Sequence, residues 1–339
     1  IGFSMICTLG TLNLMGEPLN IPGLMLSVVV VGMGLDYSLY FVRSYQRYRE
    51  ETHPNQARIR MTVFLAGAST LIGFGALSLG EHNLMKSLGL ILVLGIGYVM
   101  IGTYALLPPL LRHLFRPVDL SGEYAPPGSK VQQRRLRQLY KHLEAYPRIF
   151  AWCKRRMDPM FGELPGFIGR PAAVLDIGCG YGVTIAWLRA MDPQIRIQAV
   201  DPAFERVRIA KRIAGPNGLV QQGSSPDLPE FEEQADLVLM LDMAHYLSDD
   251  QLRRTLIHLK QKMRPNGRLI LRTTVPSAAH PPVYRRVETF TLKIAGRPAY
   301  YRSVDQMKEL LTRGGFAVAQ AQASGQGREE YWFIGAPGQ

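Results

Sequence analysis

Three long, almost uncharged stretches crowd the first third of this chain and limit what it can fold into. Residues 61–80 and 87–111 contain no Asp, Glu, Lys or Arg, and residues 21–42 (IPGLMLSVVVVGMGLDYSLYFV) contain only Asp36. At about 1.5 Å per residue, each run is long enough to cross a hydrocarbon core of about 30 Å. A buried helix of a soluble core carries the same local pattern, but three such runs this close together exceed what one globular core needs. The segment therefore reads as membrane helices. Residues 1–15 read as the cut end of a further helix. Because the chain opens on Ile1 inside an apolar run, we expect upstream sequence beyond it.

The short loops orient these helices. The 43–60 loop carries Arg43, Arg47, Arg49, Arg58 and Arg60, whereas the loops at 16–20 and 81–86 offer Glu17, Glu81 and one base, Lys86. An excess of arginine marks the cytoplasmic side, so 43–60 is expected there. Arg112 and Arg116 follow the last helix, and everything after residue 116 is expected in the cytoplasm. Asp36 stands apart, because a carboxylate deep in an apolar helix costs at least about 2.5 kcal/mol. It must meet protein or a wet path, which makes it a candidate proton carrier. Gly32 and Gly34 permit close helix approach, and the Tyr37 phenol can donate to the carboxylate.

The stretches GMGLDYSLYFVRSYQRYRE (32–50), AGASTLIGFGALSL (66–79) and LGLILVLGIGYVMIGTYALLPPLL (88–111) are the basis of a resemblance. Through them, residues 1–115 resemble the last four helices of an RND-superfamily exporter of the MMPL type. That resemblance implies a bacterial inner-membrane protein in which Asp36 and Tyr37 lie on a proton-conducting helix coupled to export. It also implies that their partners sit in the missing N-terminal half of the exporter, so this chain is not expected to transport by itself.

The composition changes after the last apolar run. Residues 1–120 hold 8 Lys and Arg against 6 Asp and Glu, and the remainder holds 31 against 21. Residues 117–129 (PVDLSGEYAPPGS) read as a linker. Residues 130–157 read as a helical region broken near Pro147, with basic residues opposed by Glu144 alone. Leu136, Leu139, Leu143 and Tyr146 form an apolar stripe on it. Such a segment suits membrane lipid, at about 1 kcal/mol per basic residue near an anionic surface. A helix packed on the second domain with a solvated basic face is the alternative. No recognition motif or aromatic–basic platform points to nucleic acid. Cys7, Cys153 and Cys179 are too few and too scattered for a disulfide scaffold, and no metal site is expected.

Residues 173–182 read AVLDIGCGYG. We expect a buried strand over 172–177 and a helix over 183–190. Between them, Gly178, Gly180 and Gly182 let the backbone approach a ligand without Cβ clashes. Bare main-chain amides are expected there, at the carboxyl end of the strand. The next apolar run, IRIQAVD, ends in Asp201, where an acid can accept both hydroxyls of a ribose. A helix, a Gly-Pro-Asn-Gly turn and a short strand follow. Further strands are expected at 235–241, at 268–274 after the Pro-Asn-Gly turn, near 316–321 and near 330–335, with helices at 249–264 and 303–313. Alternating strands and helices imply a mostly parallel, doubly wound sheet. A dinucleotide fingerprint is excluded, since its third glycine would fall on Val183 or Ile185.

The acid-x-Gly-x-Gly-x-Gly spacing from Asp176 to Gly182, then Asp201, then LKQKMRPNGRLILRT (259–273), make residues 160–336 resemble class I S-adenosylmethionine-dependent methyltransferases. The resemblance implies a Rossmann-like sheet of seven strands, the last antiparallel, and S-adenosylmethionine as cofactor. Asp176, Gly178, Cys179, Gly180 and Gly182 would then border its methionine portion, and Asp201 its ribose. Many members place Gly-Asp after the third strand for the adenine; here Gly223-Ser224 stands there, and Ser224 or Asp227 is the substitute. Asp242, His245 and Tyr246 follow the fourth strand. Asp242 is expected at the cofactor or the strand end. His245 is expected either as a general base for a hydroxyl acceptor or as a packing residue. Residues 276–302, with Tyr284, Arg285, Arg286, Tyr300 and Tyr301, read as an insertion over an acceptor pocket or as a surface hairpin.

The sequence thus divides into an α-helical membrane bundle (1–116), a linker (117–129) and an α/β methyltransferase domain (130–339). The expected function is methylation of a small-molecule or carrier-bound acceptor by a domain tethered to an exporter of lipid-like or polyketide-like molecules. One alternative is an exporter whose second domain binds the cofactor without catalysis, for regulation or assembly. Another is a module acting mainly at the lipid surface.

Overall fold

The computed structural model describes residues 1–17, 21–48, 54–115, 120, 122–276, 299–325 and 329–338. The chain divides into two compact units, Ile1–Val118 and Asp119–Gln339.

The first unit consists of helices α1 (Gly2–Leu14), α2 (Ile21–Tyr48), α3 (Pro54–Ser78) and α4 (Asn83–Ile101), a π-helical turn at Gly102–Leu106, and α5 (Leu107–Leu114). Ile21–Tyr48, Pro54–Ser78 and Asn83–Leu114 are long and apolar enough to cross a membrane; Gly2–Leu14 is apolar but shorter. The π turn has a local cause. Pro108 and Pro109 lack the N–H groups that would pair with the Tyr104 and Ala105 carbonyls, and their rings crowd the preceding turn, so the helix widens. Glycine brings α4 against its neighbours. A Cβ on Gly95 would lie 2.8 Å from Val30 of α2, and one on Gly89 would lie 2.5 Å from the Ser78 backbone nitrogen of α3. Val30, Tyr37, Phe41, Leu92 and Ile96 form the centre of this unit. Ile6, Met25, Val28 and Ile72 instead point outward. Such a surface is stable against lipid tails or further protein, not against water.

In the second unit, α6 (Lys130–Tyr140), α7 (Ala145–Met157), α8 (Met160–Glu163) and α9 (Pro165–Ile168) precede the sheet. The helical region breaks at 141–144, before Pro147, which lies in the first turn of α7 where its missing N–H leaves no intrahelical bond unmade. The sheet alternates β1 (Ala173–Ile177), α10 (Val183–Met191), β2 (Arg196–Asp201), α11 (Phe204–Ala214), β3 (Gly218–Gln222), β4 (Ala235–Leu241), α12 (Asp249–Gln261), β5 (Met263–Thr274), α13 (Val304–Arg313), β6 (Phe316–Ala323) and β7 (Glu330–Pro337). Strand order is β3-β2-β1-β4-β5-β7-β6. The strands from β3 to β5 pair in parallel, and β7 runs antiparallel to both of its neighbours. β5 begins earlier than the Pro-Asn-Gly turn suggested: Met263 pairs with Ala235, and the register shifts before Arg268 meets Leu237.

Two apolar cores flank the sheet. Leu136, Ile185, Trp187, Ile197 and Trp332 lie in one, and Leu175, Met240, Leu256, Met307 and Phe333 in the other. Part of the expected linker packs with this unit. The Ala125 N–H donates to the Met191 carbonyl (2.7 Å), and the Arg135 guanidinium donates to the Glu123 and Ala190 carbonyls (3.1 and 3.3 Å).

Candidate functional site

The carboxyl ends of β1 and β2 meet at the glycine loop. Gly178, Gly180 and Gly182 all have positive φ (79°, 55° and 70°), which side chains disfavour. The loop amides are not bare, contrary to expectation. Gly178 and Cys179 donate to the Val200 carbonyl (2.8 and 3.1 Å), Gly182 to the Cys179 carbonyl (2.9 Å), and Gly180 to Asp201 Oδ2 (2.9 Å). A tight loop satisfies its own donors. What it leaves open is an edge. A Cβ on Gly178 would press on Met243 and one on Gly182 on Ala210, both at 3.1 Å, but one on Gly180 would meet nothing within 4 Å.

Two carboxyls lie beneath that edge. Asp201 is buried, and its second oxygen accepts from the Ala203 N–H at 2.9 Å. Asp176 is 2% exposed, and its Oδ2 has no hydrogen-bond partner among the described residues. Burial first, and the Asp201 charge second, push the Asp176 carboxyl up to about 7. An orphaned buried acid next to an open glycine edge fits a cofactor that brings a cationic group and hydroxyls. Burial, then Asp176 and Asp201, push the Cys179 thiol far up, so it remains neutral and is no nucleophile.

Helix α7 borders the loop in a way that no local pattern announced. Tyr146 and Phe150, one turn apart, lie 5.7 and 5.4 Å from the Tyr181 ring, and the Arg206 guanidinium lies 5.7 Å from the same ring. Four residues further on, Lys154 reaches Asp242, at the end of β4. Asp242 has a φ of 56°, and its carboxylate is held by Lys154 Nζ (2.7 Å) and Arg272 (2.9 Å). Both cations also bind Asp158, at 3.0 and 2.8 Å. Burial pulls the Lys154 ammonium down, but Asp242 and Asp158 outweigh it and hold it above its ordinary value. Burial likewise raises Asp158, but Lys154 and Arg272 hold its carboxyl below the usual range. Lys154, Asp158 and Arg272 escaped the sequence reading. The available signal was Arg272 itself, a charge that follows the apolar Leu269-Ile270-Leu271 within the strand.

The acceptor-side candidates lie just beyond. His245 is buried in the turn Ala244–Tyr246, its ring 4.1 Å from the Tyr246 ring and 6.0 Å from the Tyr301 ring. Tyr246 is 42% exposed. Buried Arg302 pins this turn by donating to the Ala244 and Leu247 carbonyls (3.1 and 2.6 Å) and to Asp249 (2.8 Å). Tyr300 donates its N–H to the His245 carbonyl (2.7 Å). Tyr284, Arg285 and Arg286 lie outside the described residues. On the adenine side, Ser224 is exposed and donates to the Ser225 carbonyl (3.3 Å). Asp227 is 87% exposed in its side chain and pairs with Arg254 at 3.1 Å.

In the first unit, Tyr37 packs into the helical core while Asp36 points outward. No hydrogen bond joins the two among the described residues. Adjacent helical positions diverge by about 100°, so the expected phenol–carboxylate pair does not form.

The two parts match different families. A methyltransferase-domain family matches residues 174–267, and the MMPL family matches residues 1–150. Among curated proteins, a membrane protein of Methanocaldococcus jannaschii is 30% identical over 33% of this chain and 31% of its own length. An uncharacterized protein of Synechococcus is 29% identical over 36% of this chain and 28% of its own length. The chain thus spans about a third of the length of the curated relatives it matches. Among solved structures, it is similar to an S-adenosylmethionine-dependent methyltransferase from Mesorhizobium loti (TM-score 0.45, 16% identity, 53% of this chain and 99% of that one). It is also similar to human N-acetylserotonin methyltransferase in complex with SAM (TM-score 0.44, 15% identity, 71% of this chain and 70% of that one).

Proposed function

Because the chain joins an MMPL-type membrane region to an S-adenosylmethionine-dependent methyltransferase domain, we propose that the second unit methylates a small-molecule or carrier-bound acceptor. In the same reading, the first unit supplies the last four helices of a proton-driven exporter. The observation that carries the enzymatic half is the pairing of the open Gly180 edge with the orphaned Asp176 carboxyl and the anchored Asp201.

When bound, S-adenosylmethionine supplies an electrophilic sulfonium methyl for in-line displacement. Asp201, held by the Gly180 and Ala203 amides, retains lone pairs for the ribose hydroxyls. Asp176 supplies negative charge to the cationic amino-acid portion. The Lys154–Asp242–Arg272–Asp158 network fixes the carboxyl ends of β4 and β5. Ser224 and Asp227 are the adenine-side candidates. On the acceptor side stand Tyr246, the more open residue, and His245, the candidate base for a hydroxyl proton. The burial of His245 favours a second reading, in which the domain binds the cofactor without transferring its methyl group. Titration calorimetry of the full chain tests the first step: S-adenosylmethionine binds, and Asp201→Ala abolishes binding. Methylated product from pathway extracts then separates an enzyme from a sensor.

The outward carboxylate of Asp36 supports the exporter reading, since in lipid it needs further helices to face. The arginine-rich segment 43–60, which spans the end of α2 and the start of α3, supports a cytoplasmic second unit in a bacterial inner membrane. Asp36→Asn in the complete transporter should stop proton-coupled export, and undiminished export removes Asp36 from the mechanism.

A further inference from the structure

The face of α6 and α7 turned away from the glycine loop combines two features that a solvated helix surface does not. Arg134, Arg137, Lys141, Arg148 and Arg156 are exposed, and none has an acidic partner among the described residues. The one acid of this region, Glu144, is taken by Arg208 at 2.6 Å. Interleaved with these cations are exposed apolar side chains: Val131, Ile149 and Trp152. A groove of about 630 Å³ runs between the two helices. Leu136, Tyr140 and Ala151 form its apolar wall, and Arg137, Arg148 and Arg155 its cationic one.

The helical spacing separates this face from the site. Tyr146, Phe150 and Lys154 fall on one side of α7 and reach Tyr181 and Asp242, and Pro147 and Ala151 turn inward. Arg148, Ile149, Trp152 and Arg156 are left for the outside. Aromatic and aliphatic side chains set among unpaired cations form the pattern that rests in the headgroup region of an anionic bilayer. Fifteen residues lie between the end of α5 and the start of α6, a tether of at most about 58 Å. In a chain anchored by membrane helices, such a tether gives the second unit a high effective concentration of lipid surface.

We propose that the α6–α7 face is a membrane-docking surface whose partner is the anionic phospholipid headgroup layer, with Trp152 inserted at the interface and the groove cations on lipid phosphates. This does not depend on methyl transfer. Trp152 is a built-in reporter, because the chain has 3 Trp and the other two, Trp187 and Trp332, are buried.

The full chain is reconstituted in nanodiscs of bromine-labelled lipid, either wholly phosphatidylcholine or with a third phosphatidylglycerol. Trp152 emission is expected to shift to the blue and be quenched in the anionic discs. The effect should weaken at 0.5 M salt and in Lys141→Glu/Arg148→Glu, and it should be absent in Trp152→Phe. The emission of Trp187 and Trp332 in Trp152→Phe reports that the fold is intact. Equal Trp152 emission in both discs overturns the proposal, as does quenching that ignores the charge reversal. A response to a single-stranded oligonucleotide but not to lipid also overturns it, and assigns the face to nucleic acid.

Discussion

Replacing Asp176 with Asn should weaken cofactor binding while making the unliganded protein more stable. The Asp176 carboxyl is buried with one oxygen unpartnered, and burial followed by the Asp201 charge lifts it from 3.8 to about 7. A shift of about three units corresponds to about 4 kcal/mol against the ionised form in the folded, empty protein. The folded value lies above the unfolded one, so the native state holds the extra proton between about pH 4 and pH 7. The associated stability is complete below pH 4 and lost as pH rises through 7. Asn keeps the shape without the charge, so the variant should gain several degrees of unfolding midpoint at pH 8 and little at pH 4.

Binding should move the other way. A cationic ligand favours the ionised carboxylate, so association releases a proton, and affinity in the parent protein rises about tenfold from pH 6 to pH 8. The Asn variant should bind about ten- to a hundredfold more weakly at pH 8, the equivalent of one charge-assisted hydrogen bond, and should lose this pH dependence. Calorimetry in buffers of different ionisation enthalpy reads both affinity and proton release. A pH-independent affinity in the parent protein, or an Asn variant that binds equally well, refutes the assignment of Asp176 to the cationic end of the ligand.

Other outcomes are as definite. Gly180→Ala should lower the unfolding midpoint by only a few degrees, because its φ of 55° costs about 1 kcal/mol in an alanine and no protein atom is struck. It should nevertheless reduce cofactor affinity more than tenfold in the same calorimetric titration. Asp158→Ala should destabilise by about 3–5 kcal/mol, since it leaves buried Arg272 and Lys154 sharing Asp242 alone. Asp158 sits below its ordinary value, so the parent protein holds this stability above the unfolded carboxyl range and loses it as pH falls through the lowered value. Thermal unfolding of both proteins from pH 3 to pH 8 checks the difference, which should be full at neutral pH and shrink towards the acid end.

How much of this could be read in advance follows from the range of the interactions. The glycine loop, Asp176 and Asp201 were legible because local conformation sets them: a strand, a turn needing positive φ, and an acid at the next strand end. The membrane helices were legible because length and missing charge suffice. The donors of the loop were not, because the Val200 carbonyl that occupies two of them belongs to another strand. Nor was the role of α7 at the site, since Lys154 meets Asp242 across 88 positions and leaves no periodic trace. Asp36 and Tyr37 show the opposite error. Adjacency in sequence suggested a pair, and helical geometry turns one inward and the other out. The break near Pro147 was legible because proline interrupts a helix, and the residue itself sits in the first turn of the helix that follows.

The most direct test of the central claim is calorimetric titration of S-adenosylmethionine into the full chain in lipid nanodiscs, with Asp201→Ala alongside. Saturable one-to-one binding in the parent protein, absent in the variant while its unfolding transition is retained, is the expected result. No binding by the folded parent protein, or unchanged binding in the variant, contradicts it.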